Sequence, residues 1–256
     1  MESIKVNGAW QTVDKAYVKD QGVWKESTTQ YMKIAGKWID VNAMPTTFEA
    51  TFKSPKTIIP TLMGGNGVVE ADGPGQWKIK GYGSITWVAI VRDNVADSEL
   101  ITEVHITKMS TVTSLGGIFR ADSKVTKLTS VVFDDNLDVS NVTSMEGIFK
   151  HNSKLTHVDF GNNTFDNVTN MQEAFSGCVL IENIDLSGFS SAKVDSFVQT
   201  FMSCLKLKCI SSIDTTHAIR KLNMFKDTKD LTSPDTATQT KLTSSAGFKY
   251  EKGSPC

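Results

Sequence analysis

Ser140-Asn141-Val142-Thr143-Ser144-Met145-Glu146-Gly147-Ile148-Phe149 is followed 26 residues later by a near copy, Asn167-Val168-Thr169-Asn170-Met171-Gln172-Glu173-Ala174-Phe175. Reduced to its apolar positions, the stretch reads Val-x-x-(Leu/Met/Phe)-x-x-x-Phe. It occurs four times, as Val112/Leu115/Phe119, Val142/Met145/Phe149, Val168/Met171/Phe175 and Val194/Phe197/Phe201, with phenylalanines 30, 26 and 26 residues apart. A period in this range predicts a solenoid, in which each unit buries its apolar face only by stacking on its neighbours. Solenoids mostly present surfaces to partners, and few carry chemistry.

A second pattern lies between these markers, apolar-x-x-apolar-x-apolar: Ile101/Val104/Ile106, Leu128/Val131/Phe133, Leu155/Val158/Phe160 and Ile181/Ile184/Leu186, with Leu207/Ile210 beginning a fifth. The last two apolar positions of each alternate with polar ones, as in a strand with one buried face. The marker itself has spacing 0, +3, +7, which predicts one to two turns of helix. Thr113, Thr143, Thr169 and Asp195 stand as N-caps, and Glu146 and Gln172 complete capping boxes in two units. The expected coil is a strand, a turn, a short helix and a return, with the strands forming a parallel sheet. Cys178 and Cys204 each lie three residues after a marker Phe, where earlier units hold Asp122 and Asn152. They read as small buried side chains stacked unit on unit, in preference to a disulfide or metal pair.

The N-terminal segment carries its own repeat. Gly8-Ala9-Trp10, Gly22-Val23-Trp24 and Gly36-Lys37-Trp38 are 14 residues apart, as are Tyr17 and Tyr31. Each unit reads as a β-hairpin turning at Gly. A unit this small cannot bury its own Trp, so the three either share a core or lean on another chain. Trp10, Trp24, Trp38, Tyr17 and Tyr31 are therefore candidate attachment residues. Short strands are expected at 48–52, 68–71, 77–80 and 84–91, with Gly-rich turns between them, forming a small β-domain that caps the solenoid. The expected organisation is hairpin repeats over 1–44, the capping domain over 45–98, the solenoid over 99–225 and a C-terminal cap and tail over 226–256, with a short helix beginning at Ser233-Pro234-Asp235. The fold class is β-rich at the N-terminus, followed by an α/β leucine-rich-repeat-like solenoid.

Net charge is −1, which leaves no electrostatic footprint for nucleic acid. No apolar run of spanning length is present, so membrane insertion is not expected. The start Met1-Glu2-Ser3-Ile4-Lys5 lacks a basic region followed by an apolar stretch, so no secretory signal is expected. The Gly-rich turns lack the Gly-Lys-Ser/Thr of a phosphate loop. The four histidines lack His-x-x-x-His spacing, so neither metal nor cofactor is expected. Two ladders of outward strand residues are candidates for contact: Glu103, His157 and Asn183 in one, and His105, Asp159 and Asp185 in the other. Asp159 and Asp185, about 5 Å apart if their strands pair, could in principle act as a retaining-glycosidase pair. A solvated polar face is the simpler reading, so no catalytic residue is assigned.

The markers, together with Ile184-Asp185-Leu186-Ser187-Gly188-Phe189, resemble the BspA-type leucine-rich repeats over about residues 99–225. The first unit departs from the pattern in carrying Val132 where Asp is usual. The last, Ile219/Leu222/Phe225, is one residue short. Such repeats occur in bacterial surface adhesins and in bacteriophage tail and fibre proteins, and the N-terminal hairpins also resemble tail-protein modules. The resemblance implies a non-enzymatic virion structural protein of a tail fibre, baseplate or tail tip, assembled in the host cytoplasm. It would dock other virion proteins, or further copies of itself, through its hairpins and turn the solenoid toward a host glycan or protein. A bacterial cell-surface adhesin and a tail-associated polysaccharide-degrading enzyme are the alternatives.

Overall fold

A computed structural model describes residues 45–56, 61–63, 66–91, 97–121, 125–211, 213, 215, 218–228 and 231, together with the backbone of six strands between residues 2 and 40. Those six strands are three hairpins: β1 (Glu2–Val6) with β2 (Ala9–Val13), β3 (Ala16–Asp20) with β4 (Val23–Ser27), and β5 (Tyr31–Ile34) with β6 (Lys37–Asp40). The 14-residue repeat sets one common register, in which Lys5 faces Trp10, Lys19 faces Trp24 and Lys33 faces Trp38 across the strands. The first hairpin joins a larger sheet, whereas the other two each form a two-stranded sheet.

That larger sheet is mixed and has eight strands. Its remaining members are β7 (Thr46–Lys53), β9 (Asn66–Ala71) and β10 (Gln76–Tyr82), then β12 (Glu103–Met109), β13 (Ser130–Phe133) and β14 (His157–Asp159). Their order is β14-β13-β12-β7-β10-β9-β1-β2. The repeat strands β12, β13 and β14 run parallel, and β7 pairs antiparallel with β12. The strands of the 45–98 segment thus continue the repeat sheet and occupy its first edge, which would otherwise expose unpaired backbone groups. Two short strands, β8 (Thr61–Met63) and β11 (Trp87–Ala89), pair with each other. β8 was not anticipated, and the strand expected over 84–91 shrinks to β11. Gly81 and Tyr82, expected in a turn, lie inside β10 at a bulge.

β15 (Asn183–Asp185) and β16 (Cys209–Ser211) form a separate parallel pair. All the anticipated inward positions are buried, from Ile101, Val104 and Ile106 through to Leu207 and Ile210. Two aromatic rows run through this core. Phe119, Phe149, Phe175, Phe201 and Phe225 follow one another with ring centroids 5.2–5.7 Å apart. Phe133, Phe160 and Phe189 form the second row, at 5.4 and 4.9 Å.

The helix expected in each unit is absent. Among the described residues there is no α-helix, only two 3-10 turns at Ser98–Leu100 and Ser191–Lys193. The marker segments are instead turn ribbons spanning 112–121, 142–152, 168–178, 194–204 and 218–228. The fifth residue after the opening position takes a left-handed φ of 54–64° in all five units: Gly117, Gly147, Glu173, Gln199 and Asn223. The ninth is also left-handed in the last four, with φ of 59–77° at His151, Gly177, Ser203 and Asp227. A left-handed residue every four positions stops a helix from propagating. It also turns alternate N–H groups outward to the next unit. In the third ribbon, Met171, Glu173, Phe175 and Gly177 donate to Ser196, Val198, Thr200 and Met202 of the fourth at 2.8–3.0 Å. The intervening Ala174, Ser176 and Cys178 close turns onto Met171, Glu173 and Phe175. The apolar spacing was read correctly, but its backbone cause was not.

The presumed caps have other partners. The Thr143 and Thr169 hydroxyls donate to the carbonyls of Thr113 and Thr143, one unit back. Glu146 accepts from the Asn170 amide, not from a helix start. The register expected for the last unit is also displaced by one residue. Ala218 is buried in the opening position, and Ile219 and Leu222 are exposed. Asn223, at φ 57°, and the Arg220–Ser196 bridge fix this register. The helix and tail expected from 233 onward lie outside the described residues.

Candidate functional site

The position three residues after each marker Phe is a buried polar row. The Asn152 amide donates to Phe119 O, Cys178 Sγ–H to Phe149 O at 3.2 Å, Cys204 Sγ–H to Phe175 O at 3.1 Å, and the Thr228 hydroxyl to Phe201 O at 2.7 Å. Each residue is small, carries a donor, and satisfies a carbonyl of the unit before it, as a buried backbone group requires. Cys178 and Cys204 are free thiols, stacked unit on unit as expected. Burial pushes both thiols up, Cys204 to about 12, so they are poor nucleophiles and poor metal ligands. Asp122 lies outside the described residues.

On the strand face the first ladder begins as anticipated: Glu103 faces Ser130, and Ser130 faces His157. Glu103 forms a half-exposed ion pair with Lys53 of β7 at 2.5 Å, and His157 is exposed. In the second ladder, His105 Nε2 lies 2.5 Å from Asp134 Oδ1, and Val132 faces Asp159. The ladders do not continue across to β15, which pairs with β16: Asn183 faces Cys209 and Asp185 faces Ser211. Asp159 and Asp185 are therefore not a registered pair. Each carboxylate folds onto the turn that follows its strand. Asp159 accepts the Gly161 N–H at 2.8 Å. Asp185 accepts the Ser187 N–H and the Ser211 hydroxyl, both at 2.8 Å. Both act as turn-forming Asx residues. Beside them, the Lys208 ammonium holds the exposed Glu182 below the usual carboxylate range.

A concavity among the described residues lies elsewhere, where the loops after β13 and β14 stack. It is an open cleft of about 290 Å³, lined by Asn136, Asp138, Ser140, Asn162, Asp166 and Asn167 among others. Its floor is built by Asn163, 3 % exposed, which accepts from Leu137 N–H and donates to the carbonyls of Asp134 and Phe160. Asn162 accepts from Asn136 N–H, and the Asn167 amide donates to Ser140 O. Gly188 lets the next loop approach this floor: a Cβ there would sit 2.4 Å from Asn163 O. The rim offers amide donors beside carboxylate and hydroxyl acceptors, a set suited to hydrogen-bonding a polar, many-hydroxyl ligand. No motif pointed to this cleft. The only trace of it in the sequence is the density of Asn and Asp in 134–141 and 159–167. Among the described residues no His, Cys, Asp or Glu cluster could hold a metal ion, and no helix is long and apolar enough to cross a membrane.

The strands carrying Trp10, Trp24, Trp38, Tyr17 and Tyr31 form as hairpins, but the side chains of these attachment candidates lie outside what is described. No curated protein matches the chain, and no solved structure does. Over residues 113–239, from the first ribbon to beyond the fifth, the chain matches the family described as Mycoplasma protein of unknown function, DUF285, which is consistent with a BspA-type repeat protein.

Proposed function

We propose that the protein is a non-enzymatic structural component of a tailed-phage virion, in its tail fibre, baseplate or tail tip. Residues 1–44 would attach it, and the repeats, read as a solenoid over 99–225, would face the host surface. The observation that carries this reading is the use of the polar side chains. Thr143, Thr169, Asn152, Cys178, Cys204 and Thr228 each bond to the backbone of a neighbouring unit. That arrangement favours a stiff support over a reactive site. The two-stranded hairpins support the attachment role, because an isolated hairpin is marginally stable in water and gains from a partner surface. Host contact is assigned to the Asn/Asp cleft, with a glycan as the ligand whose hydroxyls its rim would bond.

A second reading, a cell-surface adhesin, draws on the family match, whose description names Mycoplasma proteins. The test uses full-length protein with Trp10, Trp24 and Trp38 all replaced by Ser, together with Asp159→Asn and Asp185→Asn variants. The triple variant should fail to join particles while the repeats keep their melting temperature. None of the proteins should release reducing ends from host capsule or lipopolysaccharide. Normal incorporation of the triple variant would contradict the attachment role. Reducing-end release that is lost in either Asp variant would contradict the non-enzymatic one.

A further inference from the structure

The stack of ribbons has a direction. Along it, the alternate N–H groups of each unit donate to carbonyls of the unit that follows. Leu115, Gly117, Phe119 and Ala121 donate to the second unit, and the pattern recurs down to Phe197, Gln199, Phe201 and Ser203, which donate to Arg220, Leu222, Met224 and Lys226. Over these positions one side of the stack is therefore an edge of acceptors and the other an edge of donors; near the start of each ribbon the direction reverses, Thr143, Thr169, Asp195 and Ile219 donating back to Thr113, Thr143, Thr169 and Asp195. The acceptor edge of the first unit is closed. Gly116 O takes the Trp87 indole N–H at 2.6 Å, and Ile118 O takes the N–H groups of Ile90 and Val91 at 2.9 and 3.1 Å. The donor edge of the fifth unit is open among the described residues. Its internal bonds are intact, but the N–H groups of Lys221, Asn223, Phe225 and Asp227, which hold the onward-donating positions, meet no acceptor among the described residues.

The surroundings of this edge differ from those of earlier units. Arg220, Lys221 and Lys226 stand against a single carboxylate, Asp227. Ile219 and Leu222, 80 % and 69 % exposed, occupy positions that hold Thr143 and Glu146 in the second unit and Thr169 and Gln172 in the third. An open row of backbone donors is a template for strand addition, and its partial positive charge adds to that of the basic side chains.

We propose that this edge is the docking site for an acidic, partly apolar polypeptide segment of a partner protein, which lays its carbonyls along Lys221, Asn223, Phe225 and Asp227 as a sixth unit would. A second copy of the chain does not fit. Tail to tail, it would set donors against donors. Head to tail, it would meet an acceptor edge already closed by Trp87, Ile90 and Val91.

The test uses the full-length chain and a labelled synthetic peptide with the sequence of residues 168–178, in which serine replaces Cys178. This segment already accepts such a donor row within the protein. Anisotropy should show saturable binding, and amide exchange over 221–227 should slow on binding. Charge reversal at exposed side chains (Arg220→Glu with Lys226→Glu) should weaken binding about tenfold, as should Glu173→Lys in the peptide. Absence of saturable binding, or binding without slowed exchange over 221–227, would overturn the proposal. Affinity unmoved by either charge reversal would remove its acidic partner. Exchange over 221–227 that is already slow in the free chain would show that the chain itself covers the edge, and would also overturn it.

Discussion

At the scale of single residues, the row that follows each phenylalanine explains why asparagine, cysteine and threonine alternate at one position. The site accepts any small side chain that can donate to the carbonyl one unit back. Chemistry specific to a thiol is not needed there, and the thiol carries a pH liability. Because Cys178 and Cys204 are held above their usual range by burial, with Cys204 at about 12, the folded chain binds their protons more tightly than the unfolded chain does. Their contribution to stability is therefore complete below about pH 9 and declines as pH rises from there toward 12. Urea unfolding at pH 7 and pH 10 should show the wild type losing stability over that step, and a Cys178→Ser, Cys204→Ser double variant losing measurably less. An equal loss in both proteins would contradict the assignment.

At the scale of the element, helix and turn ribbon make opposite demands on one position. Gln199 holds a left-handed φ of 54°, a conformation that costs a residue bearing Cβ about 1–2 kcal/mol. Gln199→Gly should therefore stabilise the protein by roughly 0.5–1 kcal/mol after glycine's greater unfolded-state entropy is counted. In a helix the same change would destabilise by a similar amount. Chemical denaturation of Gln199→Gly beside Gln199→Ala reads the sign. Phe175 is fully buried between Phe149 and Phe201, so Phe175→Ala should cost about 3–5 kcal/mol through lost burial and a cavity. A melting temperature unchanged within error would show that the aromatic row does not hold the units together.

These two positions also show what was legible in the sequence. Apolar spacing located Phe175 in the core because burial depends on which side chains share a face, and spacing reports that directly. It mistook the backbone because 0, +3, +7 fits both a helix and a ribbon that turns every four residues. Gly117, Gly147 and Gly177 were the available correction, since two of them recur at one repeat position and glycine there signals a left-handed residue. Glu173 and Gln199 at the same position hid the signal. The slip at Ile219 and Leu222 has a similar origin: hydrophobicity favoured them over Ala218 and Lys221, while the register was set by backbone bonding. The cleft was not legible, because it exists only once the 134–140 and 161–167 loops are stacked.

At the scale of the whole molecule, the central claim is that the units are joined by backbone bonds between turn ribbons, four N–H groups of each of the first four ribbons donating onward against one or two donating back, with the first end closed and the last open among the described residues. The donor edge at the fifth unit follows from it. The most direct measurement is scalar coupling across hydrogen bonds in deuterated, isotope-labelled protein, which connects an amide nitrogen to the carbonyl carbon it bonds. The bonding pattern predicts couplings from the nitrogens of Met171, Glu173 and Phe175 to the carbonyls of Ser196, Val198 and Thr200, and none leaving Asn223 or Phe225. Couplings from Phe175 to Met171, four residues back as in an α-helix, with none reaching the 194–204 unit, would contradict it.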